Sequence, residues 1–236
     1  MTAVSPSTAH DLALREVVRR IEEDVIFGRL APGARLVEDR LMTRHGASRH
    51  CIRQALVQLE QAGLVRREKN IGATVRSYSA DEVVKIYEVR EFLTRQAALS
   101  IPLPAPDDVV DDLVAIQERY KGCIRDDDLR GVHEANDAFH LVLFSACGNP
   151  YLVRTLQEYM GLTLPMRAKN LADRAGREVS VRQHDIMIDL LRGRDRWALA
   201  QLCVEHLQIS KADYLARVAS GAGRARIAAV EDVSGS

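Results

Sequence analysis

The chain has 236 residues, balances 33 Lys and Arg against 33 Asp and Glu, and is 47% hydrophobic and 28% charged. This composition is typical of a soluble globular protein and excludes a disordered chain, while the lack of any run of about 18 apolar residues excludes a membrane-spanning helix. Taken alone, the zero net charge also argues against a nucleic-acid-binding protein, because such domains are usually basic.

The first part of the chain predicts a helix followed by a helix-turn-helix. Residues 1–10 carry no secretory signal and are expected to be disordered. Helical periodicity and turn residues such as Pro32-Gly33 predict helices at about 11–28, 37–45 and 49–62. Asp11 is the predicted N-cap of the first helix and Ser48 that of the third.

A β-hairpin is predicted directly after the third helix. Two short strands, 64–67 and 73–76, flank the turn sequence at 68–72. Three helices followed by a hairpin are typical of a winged helix-turn-helix, and we assign residues 11–77 to this domain.

The remainder of the chain shows only helical periodicity. Ser79 and Glu82 have the spacing of a capping box at the first helix of this part. The periodicity is interrupted at 102–106, 148–150, Gly176 and Gly193. These breaks predict about six helices in an all-α domain over residues 78–220, followed by a flexible tail at 221–236.

The cysteines favour a reducing compartment. They are far apart and form no CxxC pair: Cys51, Cys123, Cys147 and Cys203. In a chain of this length without a signal peptide, such cysteines are typical of a cytoplasmic protein, with small buried side chains favoured over redox chemistry.

The zero net charge hides an uneven distribution along the chain. The net charge is +4 over residues 1–77, −6 over 78–128 and +2 over 129–236. Residues 40–69 alone carry seven basic and two acidic side chains. This local excess fits a phosphate-binding surface, although a solvated helix face gives the same count.

Arginines on the third helix are the strongest candidates for DNA contacts. Arg49 and Arg53 are four residues apart and lie opposite the apolar face, as a recognition helix in the major groove requires. Ser48 offers a hydroxyl and the free N–H groups of the helix start to a phosphate. Three further candidates lie at the tip of the hairpin: Lys69, Asn70 and Gly72.

This stretch closely resembles the GntR family of bacterial transcription regulators. The resemblance rests on Gly46-x-Ser48-Arg49-x-x-x-Arg53-x-Ala55-Leu56, on Gly63-Leu64-Val65 and on Asn70-x-Gly72-Ala73-x-Val75. It implies binding to double-stranded operator DNA and adds His50 to the candidate DNA contacts. The chain departs from the family at His50-Cys51, where Thr-Pro is common, and at Gln54, where Glu is common.

Three histidines on separate predicted helices form a candidate metal set. Imidazoles from His140, His184 and His206, with an oxygen from Asn136 or Asp137, suit a divalent transition metal. From spacing alone, histidines satisfied within the core remain the more common alternative.

The second part resembles the FCD domain of FadR-type GntR regulators. The matching motifs are Tyr87-Glu88-Val89-Arg90, Asn136-Asp137-Ala138-Phe139-His140, Asn149-Pro150 and a C-terminal stretch from His184 to His206-Leu207. The resemblance implies a zinc, nickel or manganese ion held by Asn136, His140, His184 and His206, with Asp137 as an alternative oxygen ligand. A small carboxylate effector would fill the open positions and contact Arg90, unless Arg90 instead pairs with a helical neighbour.

These observations predict a homodimeric transcription repressor, and not an enzyme, whose operator affinity is controlled by a small organic acid. Two alternatives remain open at this stage. In one the metal ion itself is the signal, and in the other the three histidines belong to a metal-dependent enzyme.

Overall fold

A computed structural model describes residues 9–68, 72–167 and 173–221 of the chain. The chain forms two compact units, one ending at Ser77 and the other running from Tyr78 to Ser220. The predicted tail beyond residue 221 and most of the predicted disordered N-terminus lie outside the described residues, but residues 9 and 10 are helical. No helix in the described ranges is both long and apolar enough to span a membrane.

The first unit is a winged helix-turn-helix, as predicted. Its elements are α1 (Ala9–Ile26), β1 (Arg35–Leu36), α2 (Glu38–His45), α3 (Arg49–Gln61), β2 (Val65–Glu68) and β3 (Gly72–Val75). The strands form an antiparallel sheet in the order β1-β3-β2. The sequence did not predict β1, because two residues are too few to show the alternation of a strand.

The start of the first helix is a correction. Helix α1 begins at Ala9, so Asp11 lies in its first turn and is not its N-cap. A carboxylate there still interacts favourably with the positive end of the helix dipole. Helices α1 and α3 pack together around Ile21, Ile52 and Leu59, which are almost fully buried.

The turn between α2 and α3 sets the direction of the candidate recognition helix. Gly46 follows α2 with φ of 61°, a left-handed conformation that glycine adopts without strain, and its N–H donates to the carbonyl oxygen of Met42. Ser48 then caps α3, and its Oγ accepts from the N–H of Cys51 at 3.3 Å. The predicted Ser48 cap is therefore confirmed.

The second unit is all-helical within the described residues. Its helices are α4 (Ala80–Ser100), α5 (Asp107–Arg125), α6 (Leu129–Ser145), α7 (Pro150–Leu162), α8 (Arg174–Arg192) and α9 (Arg196–Ala219), with a further helical turn at 164–167. Helix α4 packs on α7 and α9, while α5 packs on α6 and α8. Leu113, Phe139, Leu143, Met187 and Leu191 are fully buried in one core cluster of this unit.

Most of these helices begin with a side-chain cap. One such cap shows that the predicted break in the helical pattern at Gly176 is wrong. The capping box of Ser79 and Glu82 is present at α4, as predicted. Gly176 does not interrupt the helical pattern, because it lies in the first turn of α8. There its N–H donates to the carboxylate of the N-cap residue Asp173 at 3.1 Å.

Candidate DNA-binding face and metal site

Helix α3 presents two exposed arginines on the side opposite its buried face. Their side chains are 54% exposed at Arg49 and 59% at Arg53. Each is paired with an acid at the start of α2. Arg49 Nη2 lies 2.6 Å from Asp39 Oδ1, and Arg53 Nε donates to both carboxylate oxygens of Glu38 at 2.9 and 3.0 Å.

These acids change the interpretation of the local positive charge. Glu38 and Asp39 precede the basic stretch of 40–69, so the count over that window missed them. An exposed ion pair contributes only about 0–1 kcal/mol, which makes it exchangeable for a DNA contact. The ion pairs therefore orient the two arginines, and both arginines can still exchange these pairs for contacts with DNA.

The other candidate DNA contacts lie at the start of α3 and in the hairpin. Ser48 and His50 are both exposed, and Ser48 uses its oxygen as an acceptor, so its hydroxyl proton can still be donated to a phosphate. Gly72 begins β3 with φ of 98°, a backbone conformation that residues with a side chain rarely adopt. Lys69 and Asn70 lie outside the described residues.

Helices α6, α8 and α9 bring three histidines into one triangle. The ring centroids of His140, His184 and His206 are separated by 5.2, 5.0 and 5.1 Å. One nitrogen from each ring lies within 4.8 Å of the others. Residues up to 66 positions apart in sequence thus converge on a single point.

A glutamine on α5 fixes the orientation and the tautomer of His184. Gln117 Nε2 donates to Asp185 Oδ1 at 2.9 Å and to the carbonyl oxygen of Val181 at 3.0 Å. Its Oε1 is left as an acceptor 3.2 Å from His184 Nδ1, so that nitrogen carries the proton. His184 Nε2 is buried and has no hydrogen-bond partner among the described residues, so it then carries a free lone pair.

His206 is held by the same kind of contact. Its Nδ1 lies 2.7 Å from Gln183 Oε1, which leaves Nε2 as the nitrogen that could bind a metal. Phe139 orients His184 from the other side, since the two rings stack with centroids 4.0 Å apart and an interplanar angle of 10°. These partners hold the imidazoles as metal-site histidines are commonly held.

The three imidazoles are neutral at neutral pH. Burial, reinforced by the neighbouring histidines, holds the pKa of His140 and of His184 well below the usual value. Burial, followed by the charges of Arg90 and Arg167, lowers the pKa of His206 to about 3. Neutral imidazoles with free lone pairs are the form that binds a metal, so the cluster fits a divalent transition metal.

Asn136 and Asp137 have different surroundings. Asn136 is buried and lines the same small cavity as His140 and His206, and its Nδ2 donates to Asp137 Oδ1 at 3.2 Å. Asp137 is bound to Arg167, whose Nη1 and Nη2 lie 2.7 and 3.4 Å from its two oxygens. Although burial acts to raise the pKa of Asp137, Arg167 outweighs it and lowers this pKa to about 2. The geometry favours Asn136 as the oxygen ligand.

Arg90 also lines the cavity and is 3% exposed. Its Nη1 donates to Thr163 Oγ1 at 2.7 Å, and its Nε has no hydrogen-bond partner in the described part of the chain. Among the residues that the structure describes, no carboxylate forms an ion pair with Arg90. Burial lowers its pKa to about 10, so it stays protonated at neutral pH. A buried cation in this state favours an anionic ligand.

Three cavity residues escaped the sequence analysis. Arg167, Ser180 and Ser210 line the space beside Arg90 and the histidines. Ser180 on α8 is four residues before His184, and Ser210 on α9 is four residues after His206. Helical spacing from the two histidines was a usable signal for both serines, whereas nothing local pointed to Arg167.

Two family models match the chain over consecutive stretches. The model for bacterial regulatory proteins of the gntR family matches residues 13–75, and the model for the FCD domain matches residues 85–209. The first stretch covers the arginines of α3, and the second covers the whole histidine triangle.

Curated relatives and solved structures agree with these matches. The HTH-type transcriptional regulator YdhC of Bacillus subtilis is 24% identical over 79% of this chain and 84% of its own. The gluconate operon transcriptional repressor of Bacillus licheniformis is 26% identical over 73% of this chain and 72% of its own. The crystal structure of a GntR transcriptional regulator from Rhodococcus sp. RHA1 shares the fold with a TM-score of 0.67 at 21% identity, covering 86% of this chain and 97% of that one.

Proposed function

This chain belongs to the gntR family of bacterial regulatory proteins and carries an FCD domain, and from that premise we propose that it is a cytoplasmic, homodimeric repressor controlled by a small carboxylate. Its family and named relatives are DNA-binding transcription regulators and not enzymes. Repression, the effector, the metal ion and the homodimer go beyond this family assignment and are proposed here.

One observation carries the effector proposal. Arg90, a buried guanidinium without a carboxylate partner among the described residues, shares a small cavity with His140 and His206. We propose that Asn136, His140, His184 and His206 hold a zinc, nickel or manganese ion. Such an ion would supply open coordination positions for a carboxylate, and Arg90 would donate two parallel hydrogen bonds to the same ligand.

The DNA contacts are proposed for the exposed end of α3 and for the wing. Arg49 and Arg53 reach base edges in the major groove, while Ser48 and His50 contact the backbone beside them. Lys69, Asn70 and Gly72 would extend the contact to the neighbouring groove. In a homodimer, each winged domain reads one half-site of a palindrome.

Control by the effector requires a difference in affinity. The carboxylate must bind the free regulator more tightly than the operator-bound regulator, and the ratio of those affinities sets the loss of repression. The relative from Bacillus licheniformis is a gluconate operon transcriptional repressor, and gluconate is a small organic acid, which agrees with a carboxylate effector here.

A combined thermal-shift and gel-shift experiment tests the proposal. Small carboxylates are screened against the full chain with and without added zinc, nickel or manganese, and each stabilising acid is then added to an operator gel shift. We expect a true effector to raise the melting temperature only when metal is present, and to weaken operator binding. If metal alone changes operator affinity and no acid does, the metal-responsive alternative is correct.

A further inference from the structure

The wall of the effector cavity contains cations and neutral groups. Arg90 and Arg167 contribute two guanidinium groups, and the remaining polar lining consists of neutral imidazole, amide and hydroxyl groups. No carboxylate lines the cavity within the part of the chain that the structure describes. Proteins commonly bind a divalent ion with at least one anionic side chain. The described lining offers none, so it does not offset the charge of an ion.

Only one of the two guanidinium groups is neutralised. Asp137 accepts from two nitrogens of Arg167 and therefore cancels its charge. Arg90 has Thr163 as its hydrogen-bond acceptor, a neutral hydroxyl. The cavity therefore carries about one uncompensated positive charge before any ion enters.

A divalent ion would increase this imbalance. Three neutral imidazoles and the neutral amide of Asn136 leave the ion with its full +2 charge, close to the buried Arg90. Like charges in a poorly solvated site repel strongly, and buried charge without a partner is costly. The protein alone therefore offers the ion good donor atoms in an unfavourable electrostatic environment.

We propose that the metal ion and the effector enter this cavity as a pair, and that the effector is a short dianionic acid. One acidic group occupies the open positions of the ion and the other binds Arg90, so that two negative charges offset three positive ones. This inference rests on the proposed function and names its ligand class. The Nε of Arg90, which no described residue accepts from, is the donor for the second acidic group.

The size of the cavity limits the length of the acid. The cavity is small, about 20 Å³, little more than the space of one water molecule, so it favours a short acid and leaves no room for a long acyl chain. Because linkage is reciprocal, the metal must raise the affinity for the diacid by the same factor by which the diacid raises the affinity for the metal.

Equilibrium dialysis of the full chain against buffered Zn²⁺ tests the pairing. Zinc affinity is measured without added anion, with acetate, with malonate and with succinate, at equal ionic strength and at matched free zinc. We expect succinate or malonate to tighten zinc binding at least tenfold and acetate to tighten it less than threefold. Equal zinc affinity with all anions would overturn the pairing and leave the metal site intact.

Two variants separate the charge argument from other causes. Asn136→Asp supplies the missing negative charge, so we expect zinc affinity without anion to rise at least tenfold and the effect of succinate to fall below threefold. Arg90→Gln removes the uncompensated cation, so it should also tighten zinc without anion and abolish the advantage of succinate over acetate. Lys85→Gln, an exposed cation on the same helix as Arg90, is the matched control.

The outcomes distinguish this inference from the proposed function. Unchanged anion-free zinc affinity in both variants rejects the pairing alone. Absence of zinc binding under every condition rejects the pairing and the metal site together, while operator binding is judged separately by gel shift. If circular dichroism shows that Asn136→Asp does not fold, Arg90→Gln decides the result.

Discussion

The guanidinium of Arg53 lies against the carboxylate of Glu38, with its Nε 2.9 and 3.0 Å from the two carboxylate oxygens. Arg49 is paired with Asp39 through a contact of 2.6 Å from Nη2 to Oδ1. Helix α2 therefore supplies an acid for each arginine that α3 presents to solvent. These pairs orient the side chains of α3 and also compete with DNA for them.

Replacing Arg49 is expected to weaken operator binding. A bidentate contact with a base contributes about 1–3 kcal/mol, so Arg49→Ala should raise the dissociation constant for the operator by roughly five- to 150-fold. Binding is measured by gel shift at fixed salt concentration. Arg174→Ala, which removes an exposed arginine of the second unit, is the control, and equal loss in both variants would contradict a role in recognition.

Removing the competing acid is expected to have the opposite effect. Glu38→Gln keeps the shape of the side chain but releases Arg53 and deletes a negative charge near the DNA phosphates. Because an exposed pair contributes at most about 1 kcal/mol, affinity should rise by up to about fivefold, for operator and unrelated DNA alike. Fluorescence anisotropy with both duplexes measures the change, and weaker binding would show that Glu38 positions Arg53 productively.

The sequence predicted local features of this protein well and long-range contacts poorly. Helical periodicity and the caps at Ser48 and Ser79 depend on neighbours within a few residues, so they are visible in the chain. The contact of Gln117 with His184 joins residues on α5 and α8, 67 positions apart, and exists only once those helices pack. Strand β1 was missed for a similar reason, since its pairing with β3 alone makes it a strand.

Loss of the glutamine that holds His184 is expected to weaken metal binding. Gln117→Leu removes the acceptor that fixes the Nδ1–H tautomer, and loss of such a partner typically lowers metal affinity 10- to 100-fold. Zinc affinity is measured by competition with a chromophoric chelator, and the tautomer by long-range ¹H–¹⁵N NMR.

Gln201→Leu removes a glutamine that donates to Glu205 on an exposed helix face, and should leave both readouts unchanged. The same zinc affinity and the same tautomer in Gln117→Leu would contradict the positioning role. A loss of affinity with an unchanged NMR spectrum would point instead to a general loosening of the fold.

Variants at two adjacent positions separate the oxygen ligand from the structural ion pair. We expect Asn136→Ala to weaken zinc binding about tenfold or more, while the free energy of unfolding falls by only about 1 kcal/mol, because the change removes a ligand and one hydrogen bond to Asp137 but breaks no ion pair. Asp137→Asn should show the reverse pattern, because it leaves the buried Arg167 without its carboxylate. Removing one partner of a fully buried pair costs about 3–5 kcal/mol.

The Asp137 side chain is 36% exposed, so the expected loss for Asp137→Asn is smaller, about 1–3 kcal/mol after solvent screening. Urea unfolding of the metal-free chain measures the stability of both variants, and dialysis against buffered zinc measures their affinity. If Asp137→Asn instead abolished zinc binding at unchanged stability, Asp137 would be the ligand and its contact with Arg167 would break when the ion binds.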